Sequence, residues 1–205
     1  IKLKGKEVIA HTIDVFYKNK NIDEIIVCIK KEEEDFFKKN IIDKYKFKNI
    51  KIAYGGKERQ DSIQNGIHKI SKHCDIILIH DGARPLLNDK IIEDSIEVAS
   101  KSGAVVVGVP VRDTIKIVNK QNIEMTPERS TLWSAQTPQT FKYDIISRAY
   151  EKAYEIGYYG TDDSMLVENI GQSVTMIMGS YENIKITTPE DIEYAEHVLN
   201  VRRNR

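Results

Sequence analysis

Cysteine is nearly absent: the 205 residues hold two, Cys28 and Cys74, each inside an apolar run and far apart in sequence. That spacing argues against a disulfide framework or a cysteine metal site, so both are expected as small buried hydrophobes in a reducing compartment. Net charge is absent too, with 31 lysines and arginines against 31 acidic residues. The chain as a whole therefore offers no general attraction for nucleic acid or an anionic membrane, although a local phosphate site is compatible with neutrality. No apolar stretch approaches the roughly 18 residues a membrane-spanning helix needs, and no signal-peptide pattern opens the chain, so a cytoplasmic protein is expected. No two of the five histidines stand at a metal-ligand or triad spacing. Internal repeats, low-complexity tracts and linkers are missing, so one domain over 1–205 is expected.

What is present is an alternation of strand-like and helical patterns. Ile9, Ile13, Phe16 and Tyr17 recur at helical spacing, whereas Ile25-Ile26-Val27-Cys28-Ile29 is short, unbroken and β-branched, like a buried parallel strand. Phe36, Phe37, Ile41 and Ile42 predict a second helix, 50–54 a second strand, and Ile63, Gly66, Ile67 and Ile70 a third helix. A strand over 75–79 follows, then a helix carrying Ile91, Ile92, Ile96 and Val98, and a strand over 104–109 stopped by Pro110. Further on, 143–155 reads as a helix and 174–178 and 184–186 as strands. Thr188-Pro189-Glu190-Asp191 reads as the capped start of a last helix. The alternation predicts an α/β fold, a mostly parallel sheet flanked by helices.

The pattern breaks after Val111. Thr114-Ile115-Lys116-Ile117-Val118 alternates polar with apolar, Asn119-Lys120-Gln121-Asn122 supplies turn residues, and 123–126 can run back. A β-hairpin arm within 111–133 is expected. An isolated hairpin is marginal in water, so it should pack on its own domain or on a second subunit.

Three places can carry chemistry. His80-Asp81-Gly82-Ala83-Arg84-Pro85 follows directly on a strand, where open α/β sheets bind ligands; its carboxylate suits a magnesium ion and its guanidinium a phosphate. A turn needs neither charge for its geometry, which favours a site over a plain Asp-Gly turn. His80 is read as structural. Gly55-Gly56 follows another strand, with Ser62 at the start of the next helix; alone this is a weak signal, and it lacks the spacing of a Walker loop. Lys185 interrupts the apolar pair Ile184 and Ile186, so strand alternation turns it to the opposite face. Arg129, Trp133, Gln136, Thr137, Pro138 and Gln139 read as a polar-aromatic loop with Trp133 as a packing anchor, and Asp162-Asp163 as a helix cap or a site contribution in equal measure.

Taken in order, G-K-E-V-I-A-H-T-I from Gly5, G-G-K-E-R-Q-D-S-I from Gly55, H-D-G-A-R-P from His80, V-R-D-T from Val111, R-S-T-L-W-S-A-Q-T-P-Q-T-F from Arg129, T-D-D-S from Thr161 and N-I-K-I-T-T-P-E-D from Asn183 resemble the 2-C-methyl-D-erythritol 4-phosphate cytidylyltransferase family of the non-mevalonate isoprenoid pathway. The resemblance covers essentially the whole chain. It implies a Rossmann-like nucleotidyltransferase fold, a homodimer joined through the arm, magnesium as cofactor, and transfer of a cytidylyl group from CTP to a polyol phosphate. It also implies that Gly56 and Ser62 contact the cytidine, Asp81 the metal and triphosphate, and Arg84 the polyol phosphate, with Gly82 among the substrate-binding residues. Thr114, Arg129 and Thr137 would line the polyol-phosphate site, the arm residues reaching across the dimer, and Lys185 and Arg129 would position the attacking phosphate.

The family's usual chain opens with a strand and an arginine-bearing glycine-rich loop, then a Pro-Lys-Gln segment; the match at Gly5 puts Ile1 just past these. An upstream segment is the expected explanation, because a sheet without its central strand leaves a long unpaired edge. A non-catalytic nucleotide-binding module is the alternative. Ribitol-5-phosphate cytidylyltransferases share most of the motifs; Arg129 to Trp133 and Thr161 to Ser164 look more like the isoprenoid enzyme.

Overall fold

The computed structural model describes residues 1–71 and 73–203. The short strands β1 (Lys2–Leu3) and β2 (Lys6–Glu7) form a hairpin ahead of α1 (Val8–Lys18). Next come β3 (Ile25–Ile29), α2 (Glu34–Phe37) within a stretch of 3-10 and π-type turns, β4 (Ile50–Tyr54), α3 (Arg59–Ile67) and β5 (Ile76–Ile79). Then follow α4 (Asp89–Ser102), β6 (Ala104–Pro110), β7 (Ile117–Asn119), β8 (Asn122–Met125), β9 (Trp133–Lys142) and α5 (Tyr143–Glu155). The chain closes with α6 (Asp163–Asn169), β10 (Thr175–Met178) and α7 (Pro189–Arg203). The α/β expectation is met. No helix among the described residues is long and apolar enough to cross a membrane.

The main sheet has the order β10-β6-β9-β5. β10 is parallel to β6, and both β6 and β5 are antiparallel to β9, so three of its four strands share a direction. β3 and β4 pair in parallel as a separate two-stranded piece. Helices cover both faces of the main sheet: Phe141, Ile146, Tyr150, Leu166 and Val167 form one core with α5 and α6, and Leu87, Ile91, Ile92 and Val107 another with α4. Burying such side chains, at roughly 1.5–3 kcal/mol each, is what holds these layers together.

Four expectations need correction. The segment read as a polar-aromatic loop is β9 from Trp133 onward, the strand between β5 and β6; its polar residues Gln136, Thr137, Gln139 and Thr140 are buried because each has a hydrogen-bond partner. Trp133, expected as a packing anchor, is 37% exposed at the open start of β9. Residues 184–186 run as an irregular segment outside any strand, since what they pair with is a turn: Ile186 N–H donates to Ala83 O (2.8 Å). Cys28 is exposed because, among the described residues, β3 has a neighbour only on its β4 side. The hairpin arm is present as β7 and β8, turning through Lys120 and Gln121 at positive φ.

Candidate active site

The chain leaves β5 at Ile79 and folds back at once, Arg84 N–H donating to Asp81 O (3.0 Å). Helix α1 lies against this turn: Thr12 Oγ1 donates to Gly82 O (2.8 Å), and the Phe16 ring sits 5.0 Å from that of His80. A Cβ on Gly82 would stand 2.7 Å from Ile9 Cδ1, so a larger residue would have to push the end of that side chain aside. On the other side, Thr137 Oγ1 in β9 accepts from Asp81 N–H (3.0 Å).

A third element, the irregular segment 180–188, crosses the turn. Asn183 is fully buried; its carbonyl accepts from Arg84 Nη1 (2.9 Å) and its Nδ2 donates to Thr137 O (2.9 Å). With Asn183 and Ile186 both pinned, Lys185 between them reaches Asp81, Nζ to Oδ2 at 3.3 Å. Beyond it Asp191 accepts from the Thr187 and Thr188 N–H groups (both 2.8 Å), the cap expected for α7.

Asp81 is thereby surrounded by cations: Arg84 Nε at 3.3 Å, Lys185 Nζ at 3.3 Å and Arg59 Nε at 3.7 Å. Burial pushes its carboxyl pKa upward, but Lys185, Arg59 and Arg84 together outweigh that and hold it below its ordinary range. Arg59 also forks onto Asp163, with Nη1 to Oδ1 at 3.2 Å and Nη2 to Oδ2 at 2.7 Å; Asp163 is buried and accepts from Tyr150 OH as well (2.6 Å). Burial lowers the Arg59 pKa, and the Asp163 bond and charge more than restore it. Three cations against Asp81 and Asp163 leave one positive charge in excess, and the Lys185 side chain is 46% exposed, free to turn to an incoming anion. Burial drives the His80 imidazole down to about 4, so it is neutral near pH 7.

Gly56 N–H donates to Ser62 Oγ (3.0 Å), and Ser62 Oγ donates to Glu58 O (3.1 Å), so the serine shapes the glycine loop. A Cβ on Gly56 would run into Asp61 Cβ, which makes glycine obligatory. This loop and the start of α3 border a cleft of about 410 Å³ lined by Lys57, Arg59, Gln60, Tyr159 and Thr161. A cleft of similar volume by Cys74 and Tyr143 lies at the opposite end of β5, away from the charged cluster.

Of the residues singled out in the sequence, the structure gathers Asp81, Gly82, Arg84, Thr137 and Lys185 at one corner, with Gly56 and Ser62 joined to it through the α3 residue Arg59. It does not bring Thr114 or Arg129 there: both are exposed at the base of the arm, and Arg129 Nη1 donates to Arg112 O (3.3 Å). Arg59 and Asn183 escaped the sequence reading as site residues, and Asp163 was weighed evenly between a cap and a site role. Their signal lay in the segments G-G-K-E-R, T-D-D-S and N-I-K-I, where a charge beside a helix start passes for a solvated or capping group. The Asp pair divides: Asp162 caps α6, accepting from Met165 N–H (3.0 Å), while Asp163 faces Arg59.

Among the described residues no three His, Cys, Asp or Glu side chains group as a metal cage. A magnesium ion that kept most of its own ligands, held by one carboxylate plus phosphate and water oxygens, would need only Asp81 from this chain.

Both the sequence and the fold match known proteins. The family model for IspD, 2-C-methyl-D-erythritol 4-phosphate cytidylyltransferase, matches residues 1–201. A protein of that name from Clostridioides difficile is 71% identical over 203 residues, covering 99% of this chain and 86% of its own length. Another from Alkaliphilus oremlandii is 50% identical, covering 99% of this chain and 87% of its own. The crystal structure of the 4-diphosphocytidyl-2C-methyl-D-erythritol synthase from Anaerococcus prevotii superposes with a TM-score of 0.90 at 35% identity, covering 98% of this chain and 88% of that one. The 2-C-methyl-D-erythritol 4-phosphate cytidylyltransferase of Thermus thermophilus superposes with 0.84 at 26% identity, covering 97% and 91%. With its fold matched and residues 1–201 covered by the family model, the chain belongs to the IspD family of 2-C-methyl-D-erythritol 4-phosphate cytidylyltransferases.

Proposed function

We propose that the Asp81 corner joins CTP and 2-C-methyl-D-erythritol 4-phosphate, giving 4-diphosphocytidyl-2-C-methyl-D-erythritol and pyrophosphate. One observation carries this reading: three cations, Arg59, Arg84 and Lys185, converge on a single carboxylate at the end of a sheet strand. Bringing two polyanions together needs that excess of positive charge, held in place before the substrates arrive.

A phosphate monoester oxygen attacks the α-phosphorus of CTP in line, the new P–O bond forms, and the bond to pyrophosphate breaks. Arg84 holds the monoester, and Lys185 leaves Asp81 to follow the charge that builds on the transferring phosphoryl oxygens. Asp81 would hold a magnesium ion, which supplies charge neutralisation to the triphosphate. Gly56 and Ser62 form the edge of the cytidine site. No protein base is required, because a monoester with a second pKa near 6 is already largely dianionic at neutral pH. The neutral His80 is consistent with this.

Thr114 and Arg129, remote from Asp81 within one chain, belong in this reading to the site of a second subunit. The arm supports that dimer: Ile117, Val118, Ile123 and Met125 are all more than 40% exposed, an apolar surface with no partner among the described residues. Pyrophosphate release from CTP, measured with 2-C-methyl-D-erythritol 4-phosphate and separately with ribitol 5-phosphate, tests the assignment. Faster turnover of ribitol 5-phosphate would overturn the substrate, and release with neither would overturn the reaction.

A further inference from the structure

His80 touches neither proposed substrate, yet both of its ring nitrogens are spent on the two ends of the charged turn. Nε2 lies 3.0 Å from Arg84 O, and Nδ1 lies 3.0 Å from Thr137 Oγ1, which in turn lies 3.0 Å from Asp81 N. A carbonyl oxygen only accepts, so Nε2 carries the proton and donates it to Arg84 O. In a neutral ring Nδ1 then accepts, which obliges the Thr137 hydroxyl to donate to it. That hydroxyl oxygen is left to accept from Asp81 N–H. Every hydrogen in the series has one direction: Asp81 N–H to Thr137, Thr137 O–H to His80, His80 N–H to Arg84. The series spans the same two residues that the Arg84 N–H to Asp81 O bond closes directly, so the backbones that carry the carboxylate and the guanidinium are tied twice. The Phe16 ring packs against the imidazole from α1 and limits its rotation.

We propose that His80 is a positioning residue: as the Nε2–H tautomer it fixes the spacing of the Asp81 and Arg84 backbones, and so the placement of the phosphate-binding guanidinium beside the carboxylate. The role assigned to Arg84 rests on the cytidylyl-transfer reading; the tautomer and its bonds do not.

Two substitutions separate the two bonds. An asparagine carries its side-chain oxygen about where Nδ1 stands, so His80→Asn keeps an acceptor for Thr137 but is too short to reach Arg84 O. A glutamine amide nitrogen extends about as far as Nε2, so His80→Gln keeps the donor to Arg84 O. In steady-state assays His80→Asn is expected to raise the KM for the polyol phosphate at least tenfold with the KM for CTP within threefold of native, and His80→Gln to return the polyol-phosphate KM to within threefold. A general loosening would move both constants together in both variants. That result, or no change in His80→Asn, would overturn the proposal. The nitrogen chemical shifts of His80 in the native, histidine-labelled protein at pH 7.5 give an answer independent of catalysis and of how the variants fold. Nε2 should read as protonated, donating to Arg84 O; an unprotonated Nε2 would sink the idea. Absence of transfer in the native protein would instead count against the functional reading alone.

Discussion

The Asp81 corner and the β7–β8 arm are both polar-apolar mixtures near strand ends, yet they are held in opposite ways. At the corner four separate stretches of chain, α1, α3, β9 and segment 180–188, each place a bond or an ion pair on the turn at His80–Arg84. In the arm every residue of β7 and β8 is exposed, and the side-chain bonds are local ones such as Lys116 Nζ to Thr126 Oγ1 (2.8 Å) and Asn119 Nδ2 to Glu124 Oε1 (2.7 Å). A site that must hold four charges of two signs within a few ångströms has to be over-determined by its own chain, because like charges drive apart any part left loose. An arm with apolar side chains in water is under-determined by its own chain and needs a surface from outside it.

The contrast can be broken from either side. Asp163→Ala would remove the buried partner of Arg59 and Tyr150, and the mutant is expected to lose about 3 kcal/mol of stability in urea unfolding; a loss below about 1 kcal/mol would mean that Arg59 is held without it. Asp81→Ala should lower kcat by about a hundredfold while the fold persists, since the three cations lose the group that spaces them. Near-native turnover would show that their spacing is set elsewhere. Lys185→Ala is expected to cost at least about tenfold in turnover, about 1.4 kcal/mol, without unfolding; unchanged kinetics would remove Lys185 from the site.

Acidification probes the same corner. The His80 pKa is depressed in the folded state to about 4 from an ordinary 6.5, so between those values the unfolded chain binds the proton that the folded one refuses. Stability from this group is therefore present above about pH 6.5 and lost as pH falls toward 4, by about 2 kcal/mol between pH 7 and pH 5. In His80→Gln that part of the pH dependence should vanish. Smallest of all, Ile123→Ser in the arm should change the unfolding free energy of the isolated chain by less than about 0.5 kcal/mol. Sedimentation of the same variant would show whether the arm's missing surface is a second subunit: a weakened dimer supports that reading, and an unaltered mass distribution opposes it.

Most of the scaffold was legible because its elements obey simple periodicities. β3, β4 and α5 fall at their predicted limits, β3 as an unbroken apolar run, β4 as an apolar run broken only by Lys51, and the helix as a regular apolar stripe. β9 was hidden by its chemistry. A strand whose buried positions are Gln136, Thr137, Gln139 and Thr140, with Pro138 among them, carries no apolar signature; it sits in the interior because Gln139 bonds to Asp162 and to the Ser164 amide and Thr140 bonds to Ser95. Asp81, Arg84 and Lys185 were found because each charge lacks a structural excuse in its local pattern. Arg59 was missed and Asp163 left undecided because each has one, at the start of a helix, and only their approach across 104 residues of chain reveals the pair.

Tyr181 connects the two regions. Its hydroxyl donates to Pro110 O (2.8 Å) at the end of β6, and the Arg112 guanidinium lies 3.5 Å over its ring centre, so the root of the arm is clamped to the beginning of the segment that carries Asn183 and Lys185. The lysine and the arm hang from one aromatic hinge pin. A push on the arm is a push on the peptide that aims the ammonium group, and a partner seated there would share a lever with the chemistry.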